Sequence, residues 1–335
     1  MKRILRLAAV VLGLCLGAAA VVVYLDTAPR GGPGDRLFQV SRGENVQQIS
    51  EKLRQEGFIR SAWLLRVVSR LEGTDGRFKA GYYRIPPASS TVAVQRLLIS
   101  GEETLEKVTI PEGWTIHKIA ALLESHGICS ASEFTTAAAS PDIAKEFDIP
   151  AKSLEGYLYP DTYLVPKPFP ARNFAEMMVS NFFAALGELA PEYKNMTRAA
   201  LHDDVILASI VEREYKLPEE APLIASVFRN RLKAGIGLES CATLEYIITE
   251  LQQKAHPEYI TLEDERIESP YNTYRWAGLP PGPISNPGKV ALDAVVHPTQ
   301  TDYVYFVLRD PDVGRHYFST NLNEHNQAKL RFLKK

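Results

Sequence analysis

The sequence has little cysteine, little net charge and no metal-ligand spacing, and each lack removes a class of protein. Three cysteines in 335 residues, Cys15, Cys129 and Cys241, cannot make a disulfide framework. Cys15 falls inside an apolar run, which leaves Cys129 and Cys241 as the one candidate pair, and the sequence does not decide whether it forms. No Cys/His cluster has the spacing of a structural zinc site, so neither metal nor cofactor is expected. A formal net charge of −2 gives no reason to expect nucleic acid or an anionic surface as a partner. What remains is ordinary globular composition, 45% apolar and 23% charged. The length allows two or three domains.

One long hydrophobic run is present. Residues 7–25 are continuously apolar or small, enough to cross a bilayer as a helix. Lys2, Arg3 and Arg6 precede the run, which places the N-terminus in the cytoplasm and the remainder outside it. Ala18-Ala19-Ala20 could form a signal-peptidase site, but Val21-Val22-Val23-Tyr24-Leu25 continues the run beyond it and favours an uncleaved anchor. Leu14 is bulkier than a lipidation signal at Cys15 normally allows. Residues 26–35, with Pro29, Gly31, Gly32, Pro33 and Gly34, read as a flexible tether.

Two segments then match at an offset of 70 residues, the first beginning at Phe38 and the second at Val108. Each reads as a short strand, a Gly turn and an amphipathic helix closed by glycine, at Gly57 and Gly127. Val46, Ile49 and Leu53 make the apolar stripe of the first helix, and Ile116, Ile119 and Leu123 that of the second. The pattern resembles LysM-type modules, which bind N-acetylglucosamine-containing glycans. Two small βα units that touch no sugar are the alternative. Residues 61–71 and 91–99 predict helices, and Gly81-Tyr82-Tyr83-Arg84-Ile85 a strand. Ser132 is a plausible helix N-cap. Leu154-Glu155-Gly156-Tyr157-Leu158-Tyr159-Pro160-Asp161-Thr162-Tyr163 is loop-like, its aromatics either flanking a sugar site or packed inside. Residues 174–189 predict a helix whose core face carries Met177, Met178, Phe182 and Phe183.

The chemistry concentrates in Asp203-Asp204-Val205-Ile206-Leu207-Ala208-Ser209-Ile210-Val211-Glu212-Arg213-Glu214. The acidic pair suits a helix N-terminus, and the run from Val205 to Val211 reads as a buried helix. Ile206, Ile210 and Glu214 stack at i, i+4, i+8, so Glu214 lies on the apolar side while Glu212 points away. A carboxyl group at the end of an apolar helix has a raised pKa and suits a general acid. The bland alternative is that Glu214 pairs with Arg213 or a nearby lysine. A second helix begins around Glu219, Glu220 and Pro222 and stops at Gly235. Tyr271-Asn272-Thr273-Tyr274 and the stretch from Gly278 to Gly288 read as a stiff polar loop suited to a site wall. Helix over 289–296, a buried strand over 303–308 with its hairpin partner at 316–319, and a final helix over 322–333 complete the chain.

Ile210-Val211-Glu212-Arg213-Glu214, Ala225-Ser226-Val227-Phe228-Arg229-Asn230-Arg231-Leu232, Tyr271-Asn272-Thr273-Tyr274, Gly278-Leu279-Pro280-Pro281-Gly282-Pro283-Ile284 and Asn286-Pro287-Gly288 together resemble the YceG/MltG family. Its members are membrane-anchored endolytic murein transglycosylases. The resemblance covers nearly the whole chain. It implies an α+β fold: anchor (1–25), tether (26–36), LysM-like subdomain (37–106) and catalytic domain (107–335) with the second repeat copy at its start. It implies Glu214 as catalytic acid/base, and murein glycan strands, a membrane and wall synthases as partners. Tyr271, Asn272 and Asn286 are candidate substrate contacts, with Glu212 and Asp161 in support. Two departures stand out: Cys241-Ala242 where members commonly have Asp-Pro, and Tyr215 where a small hydroxyl residue often follows the Glu. A non-catalytic wall-binding anchor and a scaffold for wall synthesis remain alternatives.

Overall fold

The two matching segments fold alike. In the first, β1 (Arg36–Val40) leads into α1 (Val46–Gln55), capped by the Asn45 side chain with Gln48 answering it. In the second, β3 (Leu105–Thr109) leads into α4 (Ile116–Ser125), capped by Thr115. Both helices close with the same bond, Phe58 N to Leu53 O at 2.8 Å and Ile128 N to Leu123 O at 2.9 Å. The computed structural model describes residues 36–41, 43–101 and 105–333, with Gly17, Val21, Val22, Tyr24 and Asp26. Apart from those isolated positions, the apolar run and the tether lie outside the described residues. No helix among the described residues is long and apolar enough to cross a membrane.

The chain divides into two compact units, one running to Glu106 and taking in Val165–Lys167, the other formed by Lys107–Leu164 and the chain from Pro168 onward. In the first unit, β1 pairs antiparallel with β2 (Gly81–Ile85), Phe38 opposite Tyr83. The helices α1, α2 (Ala62–Leu71) and α3 (Thr91–Ser100) complete it. Ile49 and Leu53 of α1 meet Phe38, Tyr83, Val94 and Leu98 in one apolar core.

The second unit is mainly helical. After α4 come α5 (Ala131–Ala138), α6 (Pro141–Glu146), β4 (Thr162–Pro166), which pairs with β3, and α7 (Ala171–Leu189). Its centre is α8 (Arg198–Glu214), buried at every residue from Val205 to Val211. α9 (Ala221–Ala234), α10 (Cys241–Tyr246) and α11 (Lys289–Val296) pack on α8. α10 continues into a π-helical turn, Ile247–Leu251. The hairpin β5 (Tyr305–Asp310) and β6 (Arg315–Ser319), then α12 (Leu322–Phe332), close the unit.

Several boundaries differ from expectation for physical reasons. α8 starts at Arg198 with Thr197 as N-cap, so Asp203 and Asp204 sit inside it; Asp204 pairs with Arg229 at 2.8 Å instead of facing the helix dipole. Ser130, not Ser132, caps α5, because Glu133 can reach back to it. β5 begins at Tyr305 and buries only Val307, since the hairpin covers one face. Tyr157 and Tyr163 lie in the core, with 1% and 3% of their surface exposed, so those two rings pack inside. The architecture is α+β.

Candidate active site

The apolar stripe of α8 delivers one carboxyl group to a cleft. Ile206 and Ile210 are fully buried, and Glu214, one turn on, ends the helix half-buried. It opens on a cleft of about 370 Å³ whose wall includes Ser240, Cys241, Glu265 and Tyr274. Arg231, His325 and Lys329 supply its basic groups.

Ser240 donates its hydroxyl to Glu214 Oε1 at 2.5 Å. That serine is held from behind by the Tyr271-Asn272-Thr273-Tyr274 turn. Ser240 N donates to Thr273 Oγ1 at 3.1 Å, and Thr273 Oγ1 lies 3.0 Å from Thr243 Oγ1. Tyr274 OH meets Cys241 Sγ at 3.0 Å. Burial pushes the Glu214 pKa above the ordinary carboxylate value, while the Ser240 hydrogen bond and nearby His316 pull the other way. Arg213 is not its partner, because Arg213 pairs with Glu245 at 2.7 Å. Glu214 therefore has a neutral hydroxyl where the bland alternative placed a cation, and burial holds its pKa above the ordinary value despite that bond.

The other expected residues divide. Glu212 turns away from the cleft and accepts from Gly288 N at 2.9 Å; burial first, then Glu112, raises its pKa to about 7. It holds the start of α11. Asn272 and Asn286 were expected at substrate, and the structure places both wholly inside. Asn272 Nδ2 donates to Glu265 O at 2.9 Å and Ile267 O at 2.8 Å, and its Oδ1 accepts from Tyr274 N at 3.0 Å. Asn286 Oδ1 accepts from Gly156 N and Leu158 N at 2.8 and 2.9 Å, and Nδ2 donates to Trp114 O and Glu155 Oε1 at 2.9 and 2.8 Å. Their amides are saturated, so they brace loops and offer nothing to a ligand. Tyr271 packs on Tyr246 at 5.2 Å and is absent from the cleft wall. Asp161 is exposed and caps its own turn through Thr162 N at 2.7 Å, also outside the cleft.

Sequence reasoning missed Ser240, Glu265, His325 and Lys329, while Tyr274 lies in the wall its loop was expected to form. Ser240 follows Glu214 by 26 positions and carries no periodic signal. The helical α10 segment that follows it went unread. Of the two departures, Cys241 lies in the cleft wall, while Tyr215 caps α8 beside Glu212. Cys129 and Cys241 are both free thiols. Among the described residues no group of His, Cys, Asp and Glu is placed to hold a metal ion.

A family model described as the YceG-like family matches residues 38–331. The chain belongs to the YceG-like family. It is 29% identical over 312 residues to an endolytic murein transglycosylase of Bacillus subtilis (strain 168), covering 88% of this chain and 84% of that one. It is 29% identical over 324 residues to an endolytic murein transglycosylase of Streptococcus pneumoniae serotype 2 (strain D39), covering 86% of this chain and 56% of that longer protein. The crystal structure of a YceG-like protein from Listeria monocytogenes superposes with a TM-score of 0.58 at 28% identity, covering 88% of this chain and 99% of that one.

Proposed function

We propose that this YceG-like protein is an endolytic murein transglycosylase with Glu214 as its acid and base. The observation that carries the reading is a carboxyl group of raised pKa, at the end of a buried helix, hydrogen-bonded to Ser240 in an open cleft. Protonated Glu214 donates its proton to the glycosidic oxygen between N-acetylmuramic acid and N-acetylglucosamine. The C1–O bond breaks and charge develops at C1. Glu214, now a carboxylate, takes the proton of the C6 hydroxyl, and that oxygen closes on C1. The products are a free 4-hydroxyl on one side and a 1,6-anhydro-muramic end on the other. No water is consumed, and the carboxyl returns to its starting state.

Ser240 fixes which Glu214 oxygen faces the cleft, and the Asn272 turn fixes Ser240. Arg231 is already held by the Val304, Gly237 and Leu238 carbonyls, so it shapes the wall. Lys329 is exposed and free of ion pairs among the described residues, which suits an anionic group on the muramyl side chain.

Residues 7–25 act in this reading as a single membrane span, with the N-terminus cytoplasmic and the catalytic unit outside. The LysM-like copies then hold the wall, and cutting beside the membrane ends nascent strands next to their synthases. Replacing the span by an unrelated one tests that placement: catalysis is retained and strand-length control is lost if the span recruits synthases. Digestion of isolated strands tests the reaction itself. Anhydro-muramic ends support it, and bound but uncut strands contradict it.

A further inference from the structure

The catalytic unit has a second hollow, of about 410 Å³, that the proposed chemistry does not use. Its wall includes His117, Glu155, Tyr246 and Glu250, with Thr135 and Thr136 supplying hydroxyls. It shares α10 with the Glu214 cleft, Cys241 at one end and Tyr246 at the other. Five helical steps separate them by about 7–8 Å of rise. We propose that this hollow is a distal saccharide subsite that takes an N-acetylglucosamine residue of the strand cut at Glu214. The inference rests on the glycan-strand reading above.

Three observations carry it. The first is the backbone: α10 runs into a π-helical turn, Ile247–Leu251, a rare form that is frequent at functional sites. The turn aims Glu250, otherwise buried, at His117 Nδ1, 2.8 Å away. Glu239 before α10 and Gln253 after the turn both hold positive φ, 50° and 53°, so the whole segment is bracketed by strained residues. The second is charge. No lysine or arginine lines the hollow, and both of its acids are already engaged. Glu155 accepts from Ile116 N at 3.2 Å and from Asn286 Nδ2, and Glu250 from His117 and Thr249. Such a wall suits a neutral ligand rich in hydroxyl and amide groups, and gives an anionic muramyl peptide no counter-charge. The third is the aromatic pair. Tyr246 is half-buried against Tyr271, their rings 5.2 Å apart, which fixes the Tyr246 ring as a rigid apolar surface beside polar groups. Burial raises the Glu155 pKa to about 8, which lowers the negative charge this wall presents to a ligand.

The test uses the full-length chain and an N-acetylglucosamine tetramer as probe. On a Glu214→Gln background the tetramer binds, and Tyr246→Ala or Glu250→Gln weakens it about tenfold. With Glu214 intact, the same two changes raise KM for long strands about tenfold and move kcat less than threefold. Tyr246→Phe keeps the ring and restores binding, which separates loss of the subsite from loss of the fold. Tetramer affinity and KM both unchanged in folded Tyr246→Ala overturn the subsite. Absence of strand cleavage in the unmodified protein overturns the proposed reaction instead, and the difference in tetramer affinity between the parent and Tyr246→Ala still reports on the hollow.

Discussion

At the scale of single residues, the proposed acid is set by a hydrogen bond between two side chains. Ser240 donates to Glu214, and that bond favours the carboxylate, so it holds the pKa below what burial alone would give. Cleavage starts from the protonated acid, so activity falls as pH rises through the Glu214 pKa. Removing the hydroxyl in Ser240→Ala raises that pKa. The alkaline limb of kcat/KM then moves to higher pH while its plateau drops about tenfold as Glu214 loses its orientation. A limb that stays in place, or moves down, contradicts the assignment. Glu265 is the rival second carboxylate, since it lines the cleft without a side-chain partner among the described residues. A reaction in which the muramic sugar's own C6 hydroxyl closes on C1 does not need it. Glu265→Gln should therefore still yield anhydro ends within about tenfold of the parent rate, whereas a two-carboxylate hydrolase would lose several orders of magnitude.

At the scale of elements, α8 is fastened to the Pro-rich loop that follows Trp276. Ile284 N donates to Ser209 Oγ at 3.0 Å, and Ser285 Oγ donates to Ser209 O at 3.0 Å. The Leu154-to-Tyr163 turn wedges in beside them. Gly156 has φ +87°, and a β-carbon there would lie 2.5 Å from Pro283 Cγ and 2.9 Å from Val205 Cγ1. A proline ring cannot swing aside, so Gly156→Ala combines left-handed strain with overpacking. We expect a loss of about 2–4 kcal/mol in urea denaturation. A change below about 0.5 kcal/mol would mean the turn does not lock the helix. This is also where the sequence was legible and where it was not. α8 was readable because burial on all sides gives an almost wholly apolar run from Val205 to Val211, and Glu214 ends the Ile206, Ile210 row with a carboxyl group. The one N-cap read from the sequence, Ser132, fell two residues from the true cap, Ser130, which is chosen by the reach of Glu133. The roles of Asn272 and Asn286 were not readable, because an amide in a stiff loop serves a ligand or the loop equally well until its partners are known. Ser240 was hidden for the same reason: its partner is brought to it by the fold.

At the scale of the whole molecule, the second unit carries two acids whose pKa burial raises, Glu155 to about 8 and Glu212 to about 7. Both lie above the ordinary glutamate value of 4.5. Their contribution to stability is complete below that ordinary value and is lost as pH rises through their folded values. Thermal stability of the full chain should thus fall between about pH 5 and pH 8, by about a few kcal/mol. Glu155→Gln should flatten the slope, and a slope unchanged by it would place that carboxyl elsewhere in the titration. The near-neutral charge balance of the chain leaves glycan recognition to shape, stacking and hydrogen bonds more than to long-range attraction.

The most direct test of the central claim is mass spectrometry of isolated glycan strands digested with the protein and with Glu214→Gln. The account predicts internal cuts ending in 1,6-anhydro-muramic acid, absent with the folded variant. Anhydro ends produced equally by Glu214→Gln, or reducing muramic ends from the parent, would contradict it.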